Sequence, residues 1–251
     1  MDNIKIRFAN KNDIKNIRTI WLEAFGETES FDKYMTFVKI EEIIKVVELN
    51  NEEIVSMLSL IPCSYRKLNR TYDGYYLYAA ANKKHEKNKN YMGILLKFIQ
   101  EECKTLEKDF IFTIPANDSL FEYYHKRGFT EDVFGAKEIV GIDSEKWVKR
   151  SLCKEDISSI QAVSYNTINI EFPTEIAAYF FYEVLSSKKC NILYGYKEKK
   201  LIGYLIKHNT DLLVYEVTLP VNAEIKYKLI GKVYWAKGVK YPIKINGFIP
   251  F

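Results

Sequence analysis

The sequence holds few of the residues that mark metal sites, disulfide frames or membrane spans. Its 251 residues include four cysteines, at positions 63, 103, 153 and 190, and no two of them stand in C-x-x-C spacing. Three histidines, His85, His125 and His208, complete no metal-ligand pattern with them. Buried free thiols in a reducing compartment are therefore expected, and no metal. No run of about eighteen apolar residues occurs, and the N-terminal MDNIKIRFANKND has no apolar signal core, so the chain reads as cytoplasmic and as no partner of a membrane. A net charge of +4 is too small for the strongly basic face of a nucleic-acid binder, and the lysines of 83–89 lack interleaved aromatics. What is abundant is core material: 47% of residues are hydrophobic, with 19 Tyr and 15 Phe, enough for one large domain or two small ones.

Periodicity divides the chain into alternating elements. IKIRFA (Ile4 to Ala9) alternates as a strand does, and NKND follows, with Asn12 or Asp13 suited to cap a helix. That helix carries Ile14, Ile17, Ile20, Trp21 and Phe25 at helical spacing and ends near Gly26. IIKVVELNNEEIVSMLSLIPCSY reads as two strands joined by the turn NNEE. GYYLYAAAN (Gly74 to Asn82) is nearly all apolar, as befits a strand covered on both faces. A helix from about Tyr91 to Leu106, a strand KDFIFTIPAN and a helix begun by Asn117 and stopped by Gly128 follow. The second half repeats part of this order. CNILYGYKEKKLIGYLIKH gives strand, charged turn, strand, and DLLVYEVTLP matches YYLYAAAN in texture. An apolar, helix-like stretch with Leu229, Val233 and Trp235 then precedes a last strand, YPIKING. Two domains are expected, 1–143 and 144–251, linked near Asp143 to Leu152.

The stretch KKHEKNKNYMGILLKFI (Lys83 to Ile99) passes from a basic loop into an apolar helix. A helix N-terminus presents unpaired N–H groups and the positive end of its dipole, which suits phosphate. Lys83, Lys84, Lys87 and Lys89 add point charges beside it. Taken alone, such a run reads first as a solvated loop. In context, the element order and two motifs resemble the GCN5-related N-acetyltransferase (GNAT) superfamily. Its coenzyme loop reads roughly Q/R-x-x-G-x-G/A at a helix start. KNKNYMG stands there, with Lys87 for the Arg, Asn90 for the first Gly and Met92 for the second. The family's downstream motif, N-x-x-A-x-x-F-Y-x-K-x-G-F, is similar to NDSLFEYYHKRGF at Asn117, Leu120, Tyr123, Tyr124, Lys126, Gly128 and Phe129. The likeness covers about residues 3–140. Within the superfamily the chain most resembles the enhanced intracellular survival group, on WLEAFG (Trp21 to Gly26), YLYAAAN and NYM.

This resemblance implies an α/β fold of GNAT type, a mixed and mostly antiparallel sheet flanked by helices, followed by a second, truncated GNAT-like half. It implies an N-acetyltransferase that moves an acetyl group from acetyl-CoA to a small amine, polyamine- or aminoglycoside-like, by direct transfer. The coenzyme pyrophosphate would sit on the loop of Lys87, Asn88, Lys89, Asn90, Tyr91, Met92 and Gly93, with Asn117 nearby. Ala80, Ala81 and Asn82 would pair with the pantetheine arm, where their strand splays from its neighbour, although small alanines also suit tight packing of a strand on a helix. Tyr124 stands at the position that protonates the departing thiolate, a task for a phenol with pKa near 10. A lysine-like amine has pKa ~10.4, so holding it neutral at pH 7 costs about 4–5 kcal/mol without a base. No Asp or Glu lies in 75–82. Glu27, Glu29 and Asp32 are placed either to attract a cationic amine or as an ordinary solvated loop. Members of the survival group are thought to bring their own C-terminal carboxylate to the site, which makes Phe251 a candidate against the alternative of a last strand that simply docks. The expected partners are acetyl-CoA and a small amine, with self-association into a homo-oligomer left open.

Asn88, Asn90 and Met92 depart from the loop pattern. Asn tolerates left-handed backbone better than other non-Gly residues, so the loop geometry can survive the change. The rival reading is a non-catalytic acyl-CoA-binding or regulatory protein that keeps the GNAT fold.

Overall fold

The computed structural model describes residues 3–26, 28–50, 53–67, 69–140, 147–149, 170–186, 190–197, 200–208 and 224–245. The chain forms two compact units that interleave along the sequence. The first comprises Met1–Cys63, Tyr72–Glu131 and Gly231–Tyr241; the second comprises Ser64–Thr71, Asp132–Ile230 and Pro242–Phe251.

In the first unit, β1 (Ile4–Phe8) pairs antiparallel with β2 (Ile44–Leu49), from Ile4↔Leu49 to Phe8↔Lys45. β2 pairs antiparallel with β3 (Glu53–Lys67), the hairpin read from the sequence. β4 (Arg70–Asn82) lies next to β3 and pairs in parallel with β5 (Phe110–Thr113). The far edge of β5 is taken by residues from much later in the chain, with Trp235↔Phe110 to Lys232↔Thr113 in antiparallel register. These belong to β11 (Glu224–Trp235), where a helix is expected from Leu229, Val233 and Trp235. Spacings of four and two suit a strand as well as a helix, and the open edge of β5 decides for the strand; Leu229, 47% exposed, is not on the buried face.

Helices cover both faces of this sheet. α4 (Tyr91–Thr105) buries Leu95, Leu96 and Ile99 against Val47, Leu58, Leu77 and Ile111. The opposite face is aromatic: Trp21 of α1 (Ile14–Phe25) packs on Phe31 and Tyr34 of α2 (Glu29–Tyr34) and on Tyr78 of β4. Asp13 stands at the N-cap position of α1 but makes no capping bond there; the cap belongs to a 3₁₀ turn, Lys11–Asp13, that leads into the helix. Asn10, not Asn12 or Asp13, accepts from the chain through Oδ1 (Asn12 N, 2.8 Å), and Asp13 returns the bond by accepting from Asn10 N at 2.7 Å. Arg7 also engages Asp13, along with Glu48, in a part-buried ion cluster that offsets the burial of both carboxylates. A short α3 (Ile40–Ile43) leads into β2. β2 is buried throughout, so its Lys45 needs a partner and finds Glu102 of α4 at 2.7 Å.

In the second unit, β6 (Glu131–Val140) pairs in parallel with β12 (Ile243–Ile245), and β8 (Ile170–Glu171) pairs with Ser64 and Tyr65 of β3. α6 (Thr174–Ser186), which the sequence reading passes over, precedes the hairpin of β9 (Cys190–Lys197) and β10 (Lys200–His208). β7 (Trp147–Lys149) lines the other edge of β9. The strand expected at DLLVYEVTLP lies outside the described residues, as does most of the link expected at 143–152.

Candidate active site

The site is built where two parallel strands stop pairing. β4 and β5 share a ladder of four residue pairs, from Gly74↔Phe110 to Leu77↔Thr113. Gly74 makes that approach feasible, because a Cβ there would collide with the Phe110 carbonyl and come within 2.7 Å of its ring. β5 then ends at Thr113 while β4 continues to Asn82. The other edge of β4 stays tied to β3, with Ser56 Oγ donating to the Ala81 carbonyl at 3.4 Å and Lys83 N to the Val55 carbonyl at 2.9 Å. Immediately past the ladder Ala79 takes φ +49°, a left-handed conformation that costs an alanine roughly 1–2 kcal/mol. The 78–82 edge therefore has no β5 partner and is locally re-aimed, and an unpaired strand edge is the kind of backbone face with which an extended ligand can pair. At its end, Asn82 Oδ1 is buried with no hydrogen-bond partner among the described residues.

Tyr124 reaches this fork from α5 (Asp118–His125). Its phenol is hydrogen-bonded with Thr113, and Thr113 Oγ1 donates to the Leu77 carbonyl at 3.1 Å, the last pair of the ladder. The ring is buried, edge-on to Phe129 and Tyr123 at 5.4 and 5.6 Å. Burial pushes its pKa up to about 12, with the Thr113 bond working the other way. At neutral pH it is a protonated donor. α5 is positioned by Asn117, whose Oδ1 accepts from Leu120 N at 3.2 Å, so the expected cap is present.

The basic loop is less basic than its sequence. Residues Lys84–Lys89 form a 3₁₀ turn. Lys83 pairs with Glu53 at 2.6 Å, Lys89 with Glu86 at 3.1 Å, and the backbone N–H of Lys84 donates to Glu23 at 2.7 Å. Of Lys87 and Asn88 only the backbone is described. Asn90 precedes α4 in the left-handed region, φ +59° and ψ 21°, the conformation a glycine would supply, and makes no capping bond. Its carboxamide lies against Gly93, where a Cβ would come within 2.8 Å of Asn90 Cγ. Tyr91 and Met92, by contrast, are buried in the core under α4. Arg127 arrives from the turn after α5, with Nη2 donating to Asn90 Oδ1 at 3.3 Å.

Beside α1 and α2, Asp32 is held by Arg18 through two bonds of 2.9 and 2.8 Å, which keep its carboxyl below the usual range. Glu29 is exposed on the first turn of α2. Glu27 and Phe251 lie outside the described residues. Ala80, Ala81 and Asn82 are thus brought together with Tyr124 at one fork, and Asn90 and Gly93 sit at the head of α4. Thr113, Ala79 and Arg127 join them with nothing in the sequence to mark them. Among the described residues, no group of three or more His, Cys, Asp or Glu is arranged to hold a metal ion.

A mixed, mostly antiparallel sheet flanked by helices, forked at β4/β5 with a helix N-terminus beside the fork, defines the acyltransferase fold of the GNAT class. The acetyltransferase (GNAT) domain family matches residues 5–131, and the chain belongs to it. Members of that family use acetyl-CoA. No curated protein matches in sequence. Among solved structures, a GCN5-related N-acetyltransferase from Anabaena variabilis ATCC 29413 superposes with TM-score 0.66 at 9% identity, over 94% of this chain and 73% of that one. A conserved protein from Enterococcus faecalis V583, described as a probable N-acyltransferase, gives 0.65 at 11%, over 94% and 73%. Eis1 from Mycobacterium abscessus gives 0.59 at 7%, over 93% and 74%. At these identities the likeness is one of fold.

Proposed function

We propose that the chain is an acetyl-CoA-dependent N-acetyltransferase acting on the amine of a small molecule by direct transfer, with Tyr124 as general acid. The observation that carries this reading is the fork, where a buried phenol bonded with Thr113 stands at the last pair of the β4/β5 ladder. Tyr124 gives the proton at Oη to the departing sulfur as the new C–N bond forms and the C–S bond breaks, and the proton shed by the attacking amine nitrogen passes to solvent, which restores the phenol. The unpaired 78–82 edge would receive the pantetheine arm, and the orphaned Asn82 Oδ1 suits one of its amide N–H groups. The head of α4 would receive the pyrophosphate. The acceptor would enter beside Tyr78, Trp21 and Phe25, with exposed Glu29 and the Arg18-bound Asp32 at the rim.

WLEAFG and YLYAAAN support placement in the enhanced intracellular survival group, and the fold likeness to Eis1 is consistent with it. A polyamine- or aminoglycoside-like acceptor is the substrate class proposed by that analogy, and residues 144–251 are proposed to hold no second active site. Steady-state release of CoA with an amine panel tests the reading. Tyr124→Phe is expected to lower kcat by roughly 10²–10³ while leaving coenzyme affinity unchanged; unchanged turnover removes Tyr124 as the acid. The rival reading is a regulatory protein that keeps the GNAT fold without turnover, and the Asn90 carboxamide lying over the first turn of α4, where coenzyme would have to displace it, favours that rival. Turnover of any amine rejects that alternative.

A further inference from the structure

We infer that Arg127 is a ligand for the coenzyme pyrophosphate, and that the Asn90 carboxamide occupies the position a phosphate oxygen takes; this rests on the acetyl-CoA reading above. An anion seat at the head of α4 needs cations that are not already committed. Lys83 is paired with Glu53 and Lys89 with Glu86, so two of the loop lysines meet carboxylates before any ligand arrives. Arg127 pairs with no carboxylate among the described residues. Its guanidinium is half-buried, and it comes from a different element, the turn after α5.

Its geometry is fixed in advance. The guanidinium carbon lies 3.5 Å from the centroid of the Tyr123 ring, and Nη1 donates to the Tyr123 carbonyl at 3.1 Å. The backbone beneath is held by Gln100 of α4, whose Nε2 donates to the Arg127 carbonyl at 2.6 Å. A planar fork stacked and bonded in this way loses little freedom on meeting a phosphate. The donor facing α4, Nη2, is directed at Asn90 Oδ1. That oxygen hangs over the first helical turn beside Gly93, yet it caps no N–H there. One acceptor oxygen, set between an uncapped helix N-terminus and a guanidinium, has the surroundings a pyrophosphate oxygen seeks. Gly93 is required for it, since any Cβ would fill the same space. Coenzyme binding therefore displaces the Asn90 carboxamide and keeps Arg127.

Calorimetric titration of the full chain with CoA, 3′-dephospho-CoA and pantetheine tests this. Arg127→Gln is expected to weaken CoA and 3′-dephospho-CoA alike, roughly tenfold to hundredfold, and to flatten the salt dependence of both. Pantetheine, which has no phosphate, should bind the variant and the wild type equally. Arg127→Lys should fall between the two, and Asn90→Gly should tighten CoA severalfold. Equal CoA affinity in wild type and Arg127→Gln overturns the assignment and leaves the coenzyme reading standing. A loss seen with CoA but not with 3′-dephospho-CoA overturns it in favour of the 3′-phosphate. Should Arg127→Gln lack a cooperative melt, Arg127→Lys and Asn90→Gly decide, and wild-type affinity in both overturns the proposal. No binding of CoA to the wild type at millimolar concentration overturns the coenzyme reading, and this inference with it.

Discussion

Two helices of the first unit follow a strand and begin with an asparagine, and the two asparagines do opposite things. At α5, Asn117 has extended backbone, φ −158° and ψ 167°, and turns its side chain inward to accept from Leu120 N. At α4, Asn90 is left-handed, φ +59°, and caps nothing; its oxygen faces Arg127 instead. Residue type is the same, so backbone conformation decides, because a capping bond needs the N-cap residue in the β region. The helix that carries Tyr124 is closed at its start and is located by the protein alone. The helix at the proposed coenzyme end receives no bond from its own N-cap side chain, as suits a receptor for an anion.

Both junctions hang from the same short ladder, so the largest expected effect comes from prying it apart. Gly74→Ala sets a Cβ against the Phe110 carbonyl and ring, and should cost about 3 kcal/mol or more in the denaturant midpoint. A cost below about 1 kcal/mol would show that β4 and β5 can slide, and that the fork is not a fixed frame. The next effect tests the contrast directly. Asn117→Ala should lose about 1 kcal/mol of stability, the usual worth of a cap. Asn90→Gly should lose none and gain up to about 1 kcal/mol, since it relieves a left-handed non-glycine residue. Equal losses in the two variants would mean that Asn90 caps α4 after all, and the two junctions would be alike.

The closed junction was legible in the sequence because its signals are local. An asparagine, an apolar-and-aromatic turn and Gly128 lie within a dozen residues, and the motif match adds Tyr124. The open junction was legible only in outline. Its lysines are visible at 83–89, but of the carboxylates that engage the loop, Glu23 comes from α1 and Glu53 from β3. Arg127 stands 37 residues from Asn90, and only the fold brings them together. Ala79 is one of three consecutive alanines, and nothing in their side chains says which takes the positive φ. β11 escaped for a similar reason: spacing permits helix or strand, and the deciding partner, β5, lies over a hundred residues earlier. α6 is apolar almost all round (TEIAAYFFYEVLS), so it shows no stripe from which a helical period could be read.

The smallest expected effect is one of pH, and it sharpens the claim that the α5 junction is closed. Burial pushes the Tyr124 phenol up to about 12, against an ordinary value of 10 in the unfolded chain. Below pH 10 both states keep the proton, and stability does not depend on this group. Between pH 10 and about 12 the unfolded chain releases the proton first, so stability falls as pH rises. Tyr34 and Tyr76 are raised by burial in the same direction and add to the fall. Their shares cancel when the phenolate absorbance of Tyr124→Phe is subtracted from that of the wild type, which isolates one ionisation. It is expected near pH 12, beyond the alkaline limb of any working assay, so kcat should show no loss from this phenol around pH 10. An ionisation at the ordinary value of 10 would mean that water reaches the Tyr124–Thr113 pair and that the Asn117 cap does not seal the junction. The acid would then have to be located by bound coenzyme, and α5 would need its ligand as much as α4 does.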